Sequence, residues 1–350
     1  MKAAAVVVPV SGAERFKGTA MVLGGGVAGM TVSLALASLG HTVSLVERSD
    51  SLGGRAAVLQ CLSPDLSPAA EIAEPLIEQV LREPKITTFL SREVVSVQRE
   101  GAGLRAELGG GEVITADAMV IATGLDEVPA GPIPEYGHGT KEGVMTSLEL
   151  EERSTAGVPL VEGNIGSAVF IQCVGSRTER RGVPYCSALC CATSVKNALA
   201  LKREDPSREV TVLYIDIRTP GPGQETLYRE ARRSGVRFIR GQPSLVMERD
   251  GRLVVCGENT LLRELYEIPA DLVVLASGLR QSPSNLLFLD EMDIMQGTKG
   301  FPAMDGSRTS AEGIFITGSA REPMDVPAAV RDARACALEV HEYMLAGRTE

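Results

Sequence analysis

Four cysteines in one short stretch have the clearest chemical potential in this chain. From residue 173 to 196 the sequence reads CVGSRTERRGVPYCSALCCATSVK, with thiols at Cys173, Cys186, Cys190 and Cys191. Thiolates are the usual ligands of iron–sulfur clusters, and four of them complete a [4Fe–4S] site. An apolar strand pattern leads into the first cysteine and a helical pattern follows the last, so one loop can bring the thiols together. Buried free cysteines are the alternative, which fits the adjacent pair poorly.

A glycine pattern near the N-terminus predicts dinucleotide binding. An apolar strand is followed by GGGVAG, a helical pattern and a second strand that ends at Glu47. The glycines allow a tight turn and close approach to a pyrophosphate, and the helix N-terminus offers it free N–H groups. An acid at the end of the second strand can accept the ribose hydroxyls. The candidate residues of this unit are Gly24, Gly26, Val27, Ala28, Gly29, Glu47 and Arg48.

Four further segments favour FAD over NAD as that dinucleotide. Each of these segments is similar to an FAD contact of disulfide-reductase-like flavoproteins: SLGGR, a strand and turn over 86–97, AMVIATG and GIFITGS. Those flavoproteins usually have Gly-Asp where this chain has Gly318-Ser319. A last helix that begins near Pro327 would direct its positive dipole end at the flavin. The additional candidate contacts are Gly53, Gly54, Arg55, Val94, Thr123, Gly124, Gly318, Ser319, Pro327 and Ala328.

The middle of the chain has the element order of a pyridine-nucleotide domain without its phosphate loop. A strand over 165–172 leads into CVGSR where such a domain carries a second GxGxxG. The sequence therefore predicts an α/β fold with two Rossmann-like three-layer domains of the FAD/NAD-linked, thioredoxin-reductase-like flavoprotein type. Residues 1–160 and 278–350 are expected to form the FAD-binding domain, and residues 161–277 an NAD-domain-like domain that carries the cysteine motif.

The cysteine motif resembles that of the heterodisulfide reductase A-subunit family. The resemblance rests on CVGSR, YCSALCC and Lys196. It is closest to the compact Hdr-like subunits of sulfur-oxidising bacteria. It implies a [4Fe–4S] cluster on the four cysteines beside FAD, and Lys196 as a catalytic residue near the flavin N5. A solvated helix lysine is the alternative for Lys196. The resemblance also implies an electron-transfer subunit for sulfur-compound oxidation, B- and C-type partner subunits and a homodimer. The chain carries no ferredoxin modules, which argues against electron bifurcation.

Two rival functions are an NAD(P)H-dependent pyridine-nucleotide-disulfide oxidoreductase and a protein whose FAD is only structural. The first needs a second glycine loop and a redox dithiol, and the sequence has neither.

Cys256 and Cys336 are expected to be packing residues, and Cys61 is expected to be a core residue or an exposed thiol. The net charge of −10 and the lack of a long apolar run predict no nucleic-acid partner and no membrane span. Seven cysteines without a signal peptide indicate a reducing cytoplasm.

Overall fold

Two α/β units form the part of the chain that the structure, a computed structural model, describes: residues 17–131, 133–153, 159–161, 163, 165–297 and 300–347. The first unit contains a five-stranded parallel sheet. In spatial order its strands are β18 (Ile314–Ile316), β7 (Ala118–Ile121), β1 (Thr19–Leu23), β2 (Thr42–Val46) and β3 (Ile86–Phe89). Most of the expected N-terminal arm, residues 1–16, lies outside the described residues.

Helices cover one face of this sheet and a small antiparallel sheet covers the other. Ala20 and Val22 pack towards the helices, whereas Met21 and Leu23 pack towards the small sheet. This double burial explains why β1 is apolar almost throughout, as is usual for a central parallel strand. The covering elements are α1 (Val27–Ser38), α2 (Ala70–Arg82), α7 (Val326–Ala346), β4 (Val94–Glu100), β5 (Gly103–Leu108) and β6 (Val113–Ala116).

The second unit repeats this plan. In spatial order its parallel strands are β12 (Arg237–Arg240), β11 (Glu209–Tyr214), β10 (Ser167–Val174), β16 (Leu272–Ser277) and β9 (Val144–Thr146). Phe170 packs towards the helices, and Ile171 packs towards a three-stranded antiparallel sheet. The covering elements are α3 (Ser147–Glu152), α4 (Cys190–Glu204), α5 (Pro222–Arg233), β13 (Pro243–Arg249), β14 (Arg252–Asn259) and β15 (Glu264–Ala270).

Two crossing segments connect the units and pair with each other. They are β8 (Asp126–Glu127) and β17 (Leu279–Arg280), which form a short antiparallel ladder. The backbone N–H of Val128 donates to the Gly278 carbonyl at 2.7 Å. The second crossing continues into α6 (Pro283–Glu291), whose N-terminus is capped by the Ser282 hydroxyl.

The two Rossmann-like three-layer units confirm the fold prediction, with three differences in detail. The strand Val144–Thr146 lies in the range assigned to the first domain, yet it pairs with β16 as an edge strand of the second sheet. The segments expected to be long loops, 125–160 and 280–312, contain α3 and α6. Neither antiparallel sheet was expected, although β5 alternates apolar and polar residues clearly (GLRAEL).

Candidate functional site

The three glycines after β1 are required for different physical reasons. Gly24 has a φ of +104°, and a Cβ there would lie 2.5 Å from the Ala122 carbonyl oxygen. A Cβ on Gly29 would collide with the Gly24 carbonyl oxygen. At Gly26, in contrast, a Cβ would meet no described atom within 4 Å. Protein packing therefore demands glycine at the first and third positions, while the second opens a space at the α1 N-terminus. A pyrophosphate fits this space.

Glu47 follows β2 and its carboxylate holds the glycine turn. Its Oε2 accepts the Gly25 N–H at 2.6 Å and its Oε1 accepts the Ser49 N–H at 2.8 Å. Each carboxylate oxygen has a second lone pair, so both can still accept from a ribose hydroxyl. Arg48, the next predicted contact, is exposed. Val94 begins β4 and packs partly buried against the small sheet of the first unit.

The Gly53-Gly54 segment lies against the glycine turn. The N–H of Gly53 donates to the Gly25 carbonyl at 2.9 Å, and a bridge pairs Gly53 with Gly26. A Cβ on Gly54 would lie 3.0 Å from the Gly26 Cα, so glycine is needed for this close approach. Arg55 follows and is exposed. The structure thus brings the two predicted glycine motifs together.

The other predicted FAD contacts lie at the carboxyl ends of β7 and β18. Gly124 has a φ of +73° and open space around its Cβ position, at least among the described atoms. A Cβ on Gly318, where φ is +65°, would lie 2.5 Å from that of Ala28. The Ser319 hydroxyl is 3.4 Å from the Met324 carbonyl oxygen, to which it donates. Because β7 pairs with β1 and β18 pairs with β7, all in parallel, these turns lie at the same sheet edge as the GGGVAG turn.

The N-terminus of α7 carries its own cap. The Asp325 carboxylate accepts the N–H of Ala328 at 2.8 Å, and Pro327 occupies the first turn as predicted. Proline has no N–H, so the first turn offers fewer free donors to a flavin than its dipole alone suggests. Sequence reasoning did not identify this acidic cap, although Asp three residues before Ala328 is a typical signal.

Three polar side chains beside these turns were also missed. Asn285 Oδ1 accepts from the Thr123 hydroxyl at 3.0 Å, and the Asn285 amide donates to Gln281 Oε1 at 2.5 Å. Asp332 Oδ2 accepts from the Thr317 hydroxyl at 2.7 Å and from the Gly318 N–H at 2.8 Å. Thr123 lies 162 residues from Asn285 and Thr317 lies 15 residues from Asp332, so no local pattern could have revealed these two contacts.

The predicted cluster ligands lie at the carboxyl edge of the second sheet. Cys173 is near the end of β10 with a φ of +60°, a left-handed conformation that is unusual for a residue with a side chain. Cys190 and Cys191 open α4. The Cys190 Sγ is 3.3 Å from the carbonyl oxygen of Ser277 at the end of β16, and the Cys191 Sγ is 3.7 Å from that of Asp216. This edge, between β10 and β16, is where an open α/β sheet binds its ligand.

The thiols act on one another electrostatically. Burial raises the pKa of the Cys173 and Cys190 thiols and raises that of Cys191 to about 11. Cys173 and Cys186 raise the pKa of Cys190 and Cys191 further, whereas the Arg177 guanidinium lowers that of Cys173. Without a metal the raised pKa values keep the thiols of Cys173, Cys190 and Cys191 protonated at neutral pH. Binding of iron would deprotonate them.

The arrangement is not that of a single metal ion. Within the described ranges, no group of three or more His, Cys, Asp or Glu residues stands where it could hold an ion. The thiols around a [4Fe–4S] cluster stand further apart than the ligands of one ion, since four irons and four sulfides lie between them. Arg177 lies near the Cys173 thiol, where its positive charge would offset part of the negative charge of such a cluster. Cys186, exposed in part, is the fourth member, and the cluster itself stays a prediction.

The glycines of the β10–α4 loop are packed against protein. A Cβ on Gly175 would lie 2.7 Å from Val128 Cγ1, and one on Gly182 would collide with the Gly175 carbonyl oxygen. Neither opens a space as Gly26 does. The loop after β10 therefore lacks the cradle that a second pyrophosphate would need.

Lys196 points into the protein, so the alternative of a solvated lysine is wrong. It is 3% exposed, and its Nζ lies 2.5 Å from Glu151 Oε1 and 2.7 Å from the Cys61 carbonyl oxygen. Glu151 Oε2 in turn accepts the Gln60 N–H at 3.0 Å. The cysteine-bearing helix is thereby connected to the segment that follows the Gly53-Gly54 turn. The predicted place of Lys196 near the flavin N5 stays a prediction.

The remaining cysteines behave as packing residues. Cys336 is fully buried in the first core, Cys61 is buried, and Cys256 is half-buried on β14. In the part of the chain that is described, no helix combines the length and apolar character needed to cross a bilayer.

Comparison with known proteins gives a match to one family model over part of the chain and to solved structures of the same fold. Residues 18–160 match the family model described as pyridine nucleotide-disulphide oxidoreductase. Among solved structures, T. acidophilum thioredoxin reductase aligns with a TM-score of 0.69 at 17% identity, over 95% of this chain and 100% of that chain. The likeness confirms the thioredoxin-reductase-like fold.

Curated relatives are more similar in sequence. The iron–sulfur A subunit of CoB–CoM heterodisulfide reductase from Methanocaldococcus jannaschii is 31% identical, over 94% of this chain and 64% of that protein. The A subunit of the H(2)/formate:CoB-CoM heterodisulfide,ferredoxin reductase from Methanococcus maripaludis is 38% identical, over 67% of this chain and 38% of that protein. The chain thus spans less than two thirds of the length of either relative. It has the thioredoxin-reductase-like flavoprotein fold, and it has homologues that are named as A subunits of CoB–CoM heterodisulfide reductase.

Proposed function

We propose that this protein is an electron-transfer subunit of a heterodisulfide-reductase-like complex, with FAD in the first unit and one [4Fe–4S] cluster in the second. The position of Cys190 carries the proposal. Its Sγ lies 3.3 Å from the Ser277 carbonyl oxygen, at the sheet edge where the related fold would bind a second dinucleotide. The curated relatives named as iron–sulfur subunits support the same assignment.

The residues around the two sites have distinct tasks in this proposal. Gly26 leaves room for the FAD pyrophosphate, and Glu47 accepts from the adenosine ribose. Cys173, Cys186, Cys190 and Cys191 would hold the iron, and Arg177 would offset the negative charge of the cluster. When bound, FAD exchanges electrons in pairs or singly, and the cluster exchanges them singly.

The packed loop after β10 argues against an NAD(P)H-dependent oxidoreductase. With Gly175 and Gly182 closed by protein atoms, we expect neither NADH nor NADPH to reduce the flavin efficiently. Stopped-flow absorbance under anaerobic conditions measures this, and dithionite serves as the control reductant. Fast bleaching of the flavin by either nucleotide would favour the rival function.

We extend the proposal to the setting of the protein. The sequence contains no redox dithiol and no nicotinamide loop, so electrons must enter and leave through other proteins. B- and C-type subunits are the partners that the resemblance suggests, with a second A-type chain as a homodimer and sulfur-compound oxidation as the process.

Metal analysis of matched variants tests the proposal. Protein purified without oxygen should contain about one FAD and about four iron and four sulfide ions per chain. Cys190→Ala should lose the iron and keep most of the FAD, because the FAD contacts lie in the other unit. Cys256→Ala is the matched control, since its thiol lies on β14, outside the proposed ligand set, and should leave both contents unchanged. An iron-free wild-type protein would refute the proposal.

A further inference from the structure

Gln172 is a buried amide whose polar atoms have no hydrogen-bond partner in the described structure. Its side chain is fully buried, and both Oε1 and Nε2 lack a partner there. It directly precedes Cys173 on β10. Phe170, two residues earlier, packs on the face of the sheet that α4 covers. Strand side chains alternate along the regularly paired part of β10, which ends at Ile171, and a register shift separates Ile171 from Val174. Gln172 opens this shift, directly beside Cys173 at the carboxyl edge where α4 begins with Cys190.

Ser194 is a second such group, on the helix itself. It is fully buried, and its hydroxyl makes no hydrogen bond to any residue whose position is described. A serine inside a helix commonly donates to the carbonyl four residues earlier, which Ser194 does not. It lies four residues after Cys190 on α4, so the two side chains share a face. Helical side chains lean towards the N-terminus, which directs the Ser194 hydroxyl at the cysteine pair.

We infer that Gln172 and Ser194 donate hydrogen bonds to sulfur atoms of the cluster held by the four cysteines and so raise its reduction potential. The inference rests on the proposed function. Buried polar groups nearly always have a partner, and cluster sulfurs accept hydrogen bonds. Reduction adds negative charge to those sulfurs, so a donor stabilises the reduced state more than the oxidised one. Neither side chain is a ligand, so removing the donor should leave the iron in place.

A redox titration monitored by EPR tests the inference on the FAD-loaded, anaerobically prepared protein. Gln172→Met keeps the side-chain volume and removes the amide, and Ser194→Ala removes only the hydroxyl. Each variant should retain its iron and show a lower midpoint potential for the cluster signal. Ser33→Ala is the matched control, since Ser33 is an equally buried helical serine in the first unit, bonded to the Gly29 carbonyl at 2.7 Å. The cluster of the Ser33→Ala variant should have the same midpoint potential as that of the wild type.

The possible outcomes separate the inference from the function beneath it. Unchanged potentials in both variants, with full iron content, would overturn the inference and leave the cluster assignment standing. A wild-type protein without iron would overturn the proposed function first. If Gln172→Met does not fold, the inference is tested with Ser194→Ala alone. Pulsed EPR then measures the couplings of exchangeable protons to the cluster in the wild type and in Ser194→Ala. A coupling present in the wild type and lost in Ser194→Ala supports the inference, and an identical spectrum refutes it for Ser194.

Discussion

Lys196 Nζ lies 2.5 Å from Glu151 Oε1 in an ion pair that is almost completely buried. The lysine is on the helix that begins with the cysteine pair, and the glutamate is on α3. Lys196 also donates to the Cys61 carbonyl, and Glu151 accepts from the Gln60 N–H. One ion pair therefore joins the cysteine-bearing helix to the unit with the GGGVAG turn. Any change in it should affect both units.

Removing one partner of this pair should strongly destabilise the protein. Lys196→Met leaves the Glu151 carboxylate buried without its cation, which typically costs about 3–5 kcal/mol. The double variant Lys196→Met/Glu151→Leu removes both charges and should recover much of that loss. Urea unfolding followed by far-ultraviolet circular dichroism measures the free energies. A single variant as stable as the wild type would show that the pair does not contribute.

The same pair should affect the flavin potential with opposite signs. Lys196→Met removes a positive charge and should lower the potential, whereas Glu151→Gln removes a negative charge and should raise it. A charge near the flavin contributes on the order of 1–2 kcal/mol at an effective dielectric constant near 20. Spectroscopic titration of the bound FAD measures both shifts. If neither variant differs from the wild type, the pair is remote from the flavin ring and Lys196 is not catalytic.

Gly26→Val should abolish retention of FAD while the protein remains folded. The new Cβ would have no described protein atom within 4 Å, so we expect the fold to accept the substitution. The new side chain would instead fill the space proposed for the pyrophosphate. Gly131→Val is the matched control, because its Cβ also enters open space within the described structure and its φ is not in the left-handed region. Acid-released flavin is measured in both, and a Gly26→Val protein with full FAD would contradict the assignment.

Local patterns in the sequence were sufficient to predict the central strands of the two parallel sheets and the glycine turns. The strands of the two parallel sheets are apolar because both faces are buried, and glycine at positions 24 and 29 is dictated by nearby backbone. The position of Cys190 at a sheet edge follows from the order of strand, loop and helix. These features depend on residues that are close in sequence or on a repeated unit, which is why pattern reasoning identified them.

The polar partners of the site could not be predicted in this way. Glu151 meets Lys196 across 45 residues, and Asn285 meets Thr123 across 162 residues. Which acid or amide reaches which partner is decided by how α3 and α6 pack, and that depends on the whole fold. The strand Val144–Thr146 was missed for a related reason, because three residues are too few to show a period.

A buried histidine pair should make stability depend on pH. His41 Nε2 lies 2.7 Å from His341 Nδ1, and the N–H of Gly18 donates to His41 Nδ1 at 3.1 Å. Burial, together with the charge of His341, lowers the pKa of His41 from 6.5 to about 4. The unfolded chain therefore binds this proton more readily. The stabilisation is complete above pH 6.5 and is lost as the pH falls towards 4, by on the order of 2 kcal/mol.

Urea unfolding at pH 7.5 and pH 5 measures this loss. His41→Asn retains an acceptor for the Gly18 N–H but does not titrate in this range, so its stability should fall less between the two pH values. Acidic residues contribute equally to both proteins and cancel in the comparison. Equal losses in the wild type and the variant would exclude His41 as the cause.

The protein should be recovered from its native cells with other redox subunits. Under the proposed function, FAD and a cluster in one chain would give a two-electron end and a one-electron end, and each would need a protein donor or acceptor. An affinity-tagged chain used as bait under anaerobic conditions should co-purify B- and C-type subunits, and crosslinking should show a second A-type chain. Cys190→Ala is the informative second bait, since loss of iron should impair electron transfer without removing the surface that binds partners. Recovery of the chain alone, together with turnover of a small substrate by the isolated protein, would contradict the proposed role.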